Sequence, residues 1–482
     1  MSSAQSLYPE LQLFIDGEWI SKGSRKSEPV LNPATGEVLG HLPHATTADL
    51  DRALAAAEKG FKTWSSLMPE KRGEILRKAA ELLKERGEQI TRVASMESGK
   101  VIAQSRIELH MATEVLEWYA EEGRRAYGRL LPQRQPGTRL QVIKQPIGPV
   151  AAFTPWNFPQ GNPARKLGAA LGAGCSCVLK AAEDTPASAI LMAKALQEAG
   201  VPDGTVNLVF GVPSEVCPYI LRSGVVRALT FTGSIPIGKE LMKICAERMI
   251  RTTMELGGHG PVLVFDDVNL DQVLDMCVTA KCRNGGQVCV SPTRYYIHAS
   301  IYDKFVKGYV DRINKVKVGN PLDESNGMGP LIHARRREAV HALIQDAVAN
   351  HGAKLHTGGE AIAGPGFFYK PTVLSDIPNS ARIMNEEPFG PVALLNPFTD
   401  FDAVVKEANR LPYGLAAFAF TENGKRLKLL GEQLEAGMLG LNTFAISVPE
   451  SPFGGIKESG HGSEEGIEGL EACMITKYIA EM

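Results

Sequence analysis

From about residue 148 the chain alternates short apolar runs with helical segments, and this alternation restricts the fold more than any other feature. The runs are GPVAAF (148–153), CSCVLK (175–180), VNLVF (206–210) and ALTFT (228–232). Helical patterns accompany them near 160–173, 186–199 and 236–248. Strand–helix–strand alternation predicts a parallel sheet with helices on both faces. Right-handed crossovers then give a nucleotide-binding unit of Rossmann type. The pattern resumes after 260, with strands at 261–265, 294–298, 391–398 and 416–421. Helices near 269–283, 301–316, 333–351, 400–410 and 423–436 complete a second α/β unit. Ahead of both lies a helical region. One amphipathic helix covers about 48–64, with Leu50, Ala53, Leu54, Ala57, Phe61 and Trp64 on one stripe. The next starts near Pro69, a favoured first helical position, and its stripe runs on through Ile90 and Val93. A third spans about 100–127, and 139–144 alternates like a strand.

A chain of 482 residues has room for two or three domains with large cores. A net charge of −2 with scattered Lys and Arg offers nothing to nucleic acid or an anionic membrane. No apolar stretch approaches the ~20 residues that a membrane helix needs. The first residues, MSSAQSLYPELQLF, lack the basic start and apolar core of a signal peptide, so a cytoplasmic location is expected. Eight cysteines in a chain this long are not a disulfide scaffold. Cys175 and Cys177 have the wrong spacing for a zinc knuckle and read as buried thiols. Without HExxH or paired CxxC motifs, no metal is expected.

Five short segments carry candidate chemistry, and each has a plain structural alternative. In Asn284-Gly-Gly-Gln-Val-Cys289, glycines let a ligand approach the backbone beside a thiol. The alternative is one more buried cysteine. Glu255, in MELGG, precedes two glycines at what reads as the entry to a strand. It is a general-base candidate or an exposed turn residue. The loop FTPWNFP (153–159) leaves the carboxyl end of a strand, where open α/β sheets bind ligands. Asn157 there can donate to a developing oxyanion, or merely stabilise a turn. FTGS followed by Gly238 opens a helix, a natural seat for phosphate, but its spacing alone is weak. Lys180 and Glu183 end a strand and can hold ribose hydroxyls, or form a solvated pair.

Taken in order, the motifs PWNFP, FTGS, MELGG, GQVC and EEPFGPV resemble the aldehyde dehydrogenase superfamily. The resemblance runs from FIDGEW (14–19) and NPATGEVLG (32–40) to SPFGGIKESG (451–460). It implies a Rossmann-type parallel-sheet cofactor domain at 1–123 and 143–254. A catalytic α/β domain follows at 255–455. A small β oligomerisation element joins 124–142 to 460–482, and ITKYIA is its edge strand. A homodimer or homotetramer is implied.

By the same resemblance Cys289 is the nucleophile, Glu255 the general base, and Asn157 with the Cys289 N–H the oxyanion hole. Lys166 and Glu464 match a proton relay. Thr154, Pro155, Trp156, Lys180, Glu183, Gly233, Ser234, Gly238, Leu256, Glu387 and Phe389 match cofactor contacts. A carboxylate at Glu183 accepts from a ribose 2′-hydroxyl and repels a 2′-phosphate, so NAD is expected. Lys180 softens the repulsion and keeps NADP as the second cofactor. AEEGRRAYGR (120–129), KCRNGGQVCVSPTR and NRLPYGLAAFAF look most similar to the succinate- and 2-oxoglutarate-semialdehyde dehydrogenases. Arg165 and Arg283 match arginines that hold the far carboxylate there, a task suited to the guanidinium fork. The alternative makes both structural ion-pair residues.

The chain departs from the family pattern in places. Gly285 stands where alanine is common and is expected to loosen the nucleophile loop. Val290 and Ser291 follow Cys289, and His259 stands where lysine is common. An aromatic or other aliphatic aldehyde is the alternative substrate. A non-catalytic binding member or a thiol hydrolase is the alternative of another class.

Overall fold

The computed structural model describes residues 7–482. The chain begins with β1 (Leu13–Ile15), β2 (Glu18–Ile20), β3 (Ser27–Leu31) and β4 (Val38–Pro43). Four helices follow: α1 (Thr47–Ser66), α2 (Pro69–Glu85), α3 (Gly87–Ser98) and α4 (Ile102–Glu122). Two strands, β5 (Arg129–Leu131) and β6 (Arg139–Pro146), lead into the alternating region. That region runs β7 (Val150–Phe153), α5 (Gly161–Ala173), β8 (Cys177–Lys180), α6 (Pro186–Ala199) and β9 (Val206–Val209). It continues α7 (Pro213–Arg222), β10 (Ala228–Thr232), α8 (Ile235–Ala246) and β11 (Arg251–Glu255).

The second unit opens with β12 (Gly260–Val264), α9 (Leu270–Cys282), β13 (Pro292–His298), α10 (Tyr302–Ile313) and α11 (Ala334–His351). Then come β14 (Lys354–Thr357), β15 (Thr372–Ser375), β16 (Val392–Phe398), α12 (Phe401–Ala408) and β17 (Ala416–Phe420). The chain ends with α13 (Gly424–Gln433), β18 (Met438–Leu441), β19 (Gly460–His461), α14 (Gly466–Ala472) and β20 (Met474–Glu481).

Eight strands form one sheet in the order β19-β11-β10-β7-β8-β9-β1-β2. Strands β7 to β11 are parallel, as the apolar runs predict. The chain builds outward from β7 through β8 and β9, then returns to add β10 on the other side of β7. That reversal makes a crevice beyond the carboxyl ends of β7 and β10. The loops that leave those ends carry Trp156-Asn157 and Gly233-Ser234. A second sheet takes the order β14-β15-β16-β13-β12-β17-β18. Its central strands β12 and β13 are buried on both faces. Leu263 and Tyr296 join one core cluster, while Val262, Val264, Tyr295 and Ile297 join the other. A three-stranded sheet, β20-β6-β5, ties the last strand to the segment before β7. No helix among the described residues is long and apolar enough to cross a membrane.

Three features differ from the sequence pattern. The helix expected to run unbroken from Pro69 past Val93 is two helices, divided at Arg86 and Gly87. Glycine forfeits the most backbone freedom in a helix and marks the division. Helix α7 is only ten residues long and carries an internal Pro218, so its periodicity is hidden. Strand β11 has the sequence RTTME, without an apolar run. Glu255 therefore closes a parallel strand instead of entering one, a correction that moves it to the crevice side of the sheet.

Candidate active site

The turn after α9 holds three successive residues at positive φ: Asn284 (47°), Gly285 (60°) and Gly286 (71°). A Cβ on Gly286 would lie 2.1 Å from the Gly390 carbonyl oxygen, so only glycine fits. The turn is held at several points. The Asn284 N–H donates to Gln104 Oε1 at 2.8 Å. The Gln287 side-chain amide donates to the Asn284 carbonyl at 3.0 Å and accepts from the Ile332 N–H at 3.0 Å. Gly285 does not loosen the loop as expected: it takes a left-handed conformation inside a turn that Gln287 pins. The result presents Cys289. Seven of the eight cysteines are buried, and Cys289 alone is half-exposed.

Cys289 opens onto a cavity of about 570 Å³ that Asn157, Glu255, Glu464, Arg165 and Arg283 also line. One N–H of the Asn157 amide donates to the Gln287 carbonyl at 3.1 Å, which fixes its plane. The other has no protein acceptor among the described residues, and neither has the Cys289 N–H. Both carboxyl oxygens of Glu255 are buried without a protein hydrogen bond. Burial, then the nearby Glu464, pushes the Glu255 carboxyl well above the usual range, against the pull of Lys166. Burial also pushes the Cys289 thiol up to about 12, with Glu387 adding to it and Arg165 opposing. Both shifts run toward the protonated forms, a thiol and a carboxyl group that hold their protons more tightly than usual. Since the thiolate is the alkylated form, inactivation of the apoenzyme by iodoacetamide should keep accelerating above pH 9, the ordinary thiol value. A rate that levels off below about pH 8 would contradict this.

Lys166 stands behind the cavity wall. Its ammonium donates to Glu464, to Thr232 Oγ1 at 2.7 Å and to Thr230 Oγ1 at 3.1 Å. Thr230 Oγ1 also donates to Glu464 Oε1 at 2.9 Å, so one Glu464 oxygen is fully engaged and Oε2 has no partner.

The two arginines part company. Arg165 is paired with Glu465 at 2.7 Å, donates to Ser447 Oγ at 2.9 Å, and lies 4.1 Å over the Phe453 ring. Arg283 has no hydrogen bond or ion pair among the described residues. Its guanidinium carbon sits 5.1 Å from the centroid of Phe158, a ring that also carries the Lys100 ammonium at 4.0 Å. Lys100 is paired with buried Glu108, whose other oxygen accepts from the Gln160 and Gly161 N–H groups at 2.8 and 3.0 Å. Lys166, Arg165 and Lys100 each have a carboxylate partner. Arg283 is left as the uncompensated cation at this end of the cavity.

Comparison with known proteins agrees with this geometry. The aldehyde dehydrogenase family model matches residues 19–479. The chain belongs to the aldehyde dehydrogenase family. It is 44% identical over 473 residues to 4-(hydroxymethyl)benzenesulfonate dehydrogenase of Comamonas testosteroni, covering 98% of each chain. It is 40% identical over 468 residues to the NADP(+) succinate-semialdehyde dehydrogenase of Escherichia coli, covering 97% of each. The crystal structure of a Staphylococcus aureus betaine aldehyde dehydrogenase in complex with NAD+ superposes with a TM-score of 0.96 at 32% identity, over 99% of this chain and 97% of that one. The protein is an NAD(P)-dependent aldehyde dehydrogenase, and the thiol-hydrolase and non-catalytic alternatives fall away.

The dehydrogenase also has a cradle that fits a nicotinamide dinucleotide. Ser234 occupies the N-cap position of α8 without a side-chain capping bond, and a Cβ on Gly238 would come within 2.6 Å of Leu256, so Leu256 packs directly on the helix backbone. Pro155, Trp156, Gly233, Ser234, Leu256, Glu387 and Phe389 all line the cavity that Cys289 opens onto. Trp156 stands edge-on to Phe389 at 5.6 Å, and Phe389 itself is at φ 43°. Burial pushes Glu387 up to about 7, and its Oε1 accepts from the Gly258 N–H at 3.1 Å. Thr154, Lys180, Glu183 and Gly238 lie outside this lining. Lys180 is buried and bound to Glu183 at 2.6 Å, so the pair is no solvated surface bridge. Glu108, His333, Arg335 and Arg336 line the cavity too, without any motif to mark them, as does Phe158 of PWNFP. Among the described residues no cluster of three or more His, Cys, Asp or Glu is arranged to hold a metal.

Proposed function

We propose that this dehydrogenase oxidises an aldehyde that carries a distal anionic group, a semialdehyde such as succinate or 2-oxoglutarate semialdehyde, with NAD as the preferred cofactor. Cys289 gives its proton to Glu255 or to solvent and, as the thiolate, attacks the aldehyde carbon, giving a thiohemiacetal oxyanion held by the Asn157 amide and the Cys289 N–H. The bound nicotinamide supplies the hydride acceptor. The resulting Cys289 thioester is attacked by water, from which Glu255 removes the proton. Lys166 and Glu464 relay that proton away from Glu255. Raising a carboxyl group toward neutrality suits it to this exchange. Pro155, Trp156, Gly233, Ser234, Leu256, Glu387 and Phe389 hold the cofactor, and Thr154 and Gly238 shape the elements behind them. Lys180 and Glu183 take its adenosine ribose.

The observation that carries the substrate reading is Arg283, a cation on the cavity wall without a partner while its neighbours are paired. Arg165 serves as its scaffold, locked to Glu465 and Ser447. Hydrogen bonds to a charged group are worth about 1.5–3 kcal/mol, so Arg283→Ala should lower kcat/KM for succinic semialdehyde by about 10- to 100-fold. Butanal, of equal length without the carboxylate, should change by less than about threefold. Equal losses for the two would sink the clamp.

A second reading has specific support. Phe158 and Phe453 flank the anion end, and one relative at 44% identity is named for a benzenesulfonate. A higher kcat/KM for 4-formylbenzenesulfonate than for succinic semialdehyde selects an aromatic sulfonate as the substrate. In the same assays, NADP outperforming NAD would overturn the role given to Glu183.

For the organisation of the chain, we infer a cofactor domain at 1–123 and 143–254 and a catalytic domain at 255–455. Residues 124–142 and 460–482 serve assembly into a homodimer or homotetramer. The exposed edge strand β20, with Tyr478 and Leu130 open to solvent on the same small sheet, supports this.

A further inference from the structure

Besides Arg283, the cavity wall carries a second set of cations without ion-pair partners among the described residues. Helix α11 begins at Ala334, and Arg335 and Arg336 on its first turn both line the cavity with Ser234, Trp156, Glu387 and Phe389. The third arginine of the run faces elsewhere. Arg337 donates to the Gly366 carbonyl at 3.2 Å and lies over Phe367. The turn itself is fixed. His333 Nδ1 accepts from the Arg336 N–H at 2.9 Å, and the His333 ring stands 6.1 Å from Trp156. Arg336 Nε is shielded from water and has no hydrogen-bond partner, a costly arrangement for a guanidinium. Neither Arg335 nor Arg336 has an ion pair within 4.0 Å among the described residues. The carboxylate most coupled to Arg336 is Glu387, which burial drives toward its neutral form and which already accepts from Gly258. Asp184 is the carboxylate that faces His333 and Arg335.

We propose that Arg336, assisted by Arg335, binds the diphosphate of the dinucleotide cofactor. Ser234 approaches the cavity from the eight-stranded sheet and Arg336 from α11, whose Val340 and Leu343 pack in the core of the second sheet. A doubly negative diphosphate between them satisfies the Arg336 fork and joins the two halves of the enzyme across the cleft. This rests on the cleft being the cofactor site.

The test is binding, not turnover. NAD+ and ADP-ribose, which keeps the diphosphate and lacks nicotinamide, are titrated calorimetrically into the apoenzyme at low and high salt. Arg336→Gln should weaken both ligands by about tenfold or more and flatten their salt dependence, with Arg336→Lys recovering part of the loss. Arg335→Gln should show a smaller loss. Unchanged affinity for both ligands in a folded Arg336→Gln protein overturns the proposal. So does a loss for NAD+ alone, which would mean that Arg336 only props Glu387. Quenching of protein fluorescence by NAD+ that disappears in Trp156→Phe verifies the cleft separately. Quenching that survives in Trp156→Phe overturns the cleft reading, whatever the Arg336 variants do.

Discussion

Cys289→Ala should abolish NADH formation from every aldehyde, with kcat falling by about 10⁴-fold or more, while NAD+ still binds with nearly unchanged affinity. The size of the effect follows from the environment of the thiol. The other seven cysteines are buried, and none of them lines the cavity. None can replace Cys289. The turn that presents it is pinned by Gln287 and Asn284, whose bonds do not involve the Cys289 side chain. Removing the sulfur should therefore leave the loop and the cofactor cleft in place. Cofactor affinity separates loss of the nucleophile from loss of fold. Residual turnover within tenfold of wild type would remove Cys289 from the mechanism.

Glu255→Gln should lower steady-state turnover by about 10²- to 10⁴-fold, the usual contribution of a positioned general base. The substitution is close to isosteric, and neither Glu255 oxygen has a protein hydrogen bond to lose. The amide leaves a similarly polar group buried in the same place, so the fold should change little in stability. The step affected distinguishes two roles. If Glu255 serves water attack on the thioester, a burst of NADH near one per active site survives and only the later phase slows. If it also takes the thiol proton, the burst slows as well. Cys289 has its thiol pushed up to about 12 against the opposing pull of Arg165, so a base is expected to assist its ionisation. A burst unchanged in rate assigns that assistance to the bound cofactor and Arg165.

Much of this was legible in the sequence because the relevant signals are local. Apolar runs separated by helices specify the parallel strands, and short motifs at their carboxyl ends specify the crevice. Strand β11 escaped because RTTME gains its burial from β10 and β19, which only the assembled sheet supplies. That omission put Glu255 on the wrong side of a strand. The break at Arg86 and Gly87 was hidden because both helices share one apolar stripe. Arg165 and Arg283 were equivalent in the sequence. Their difference depends on Glu465, about 300 residues away from Arg165, which pairs with one and not the other. Arg335 to Arg337 carry no motif, and two of them line the cleft only once it is assembled. No spacing rule reports which of three consecutive arginines faces a cavity.

In the proposed mechanism the substrate is carried on Cys289 as a thioester that Glu255 helps to hydrolyse. Intact-mass and peptide mass measurement of Glu255→Gln, quenched in acid during turnover with NAD+ and succinic semialdehyde, tests it directly. A mass increase equal to the succinyl group, located on Cys289 and absent without NAD+, is the expected result. Unmodified protein during the NADH burst, or an adduct on any other residue, would contradict it.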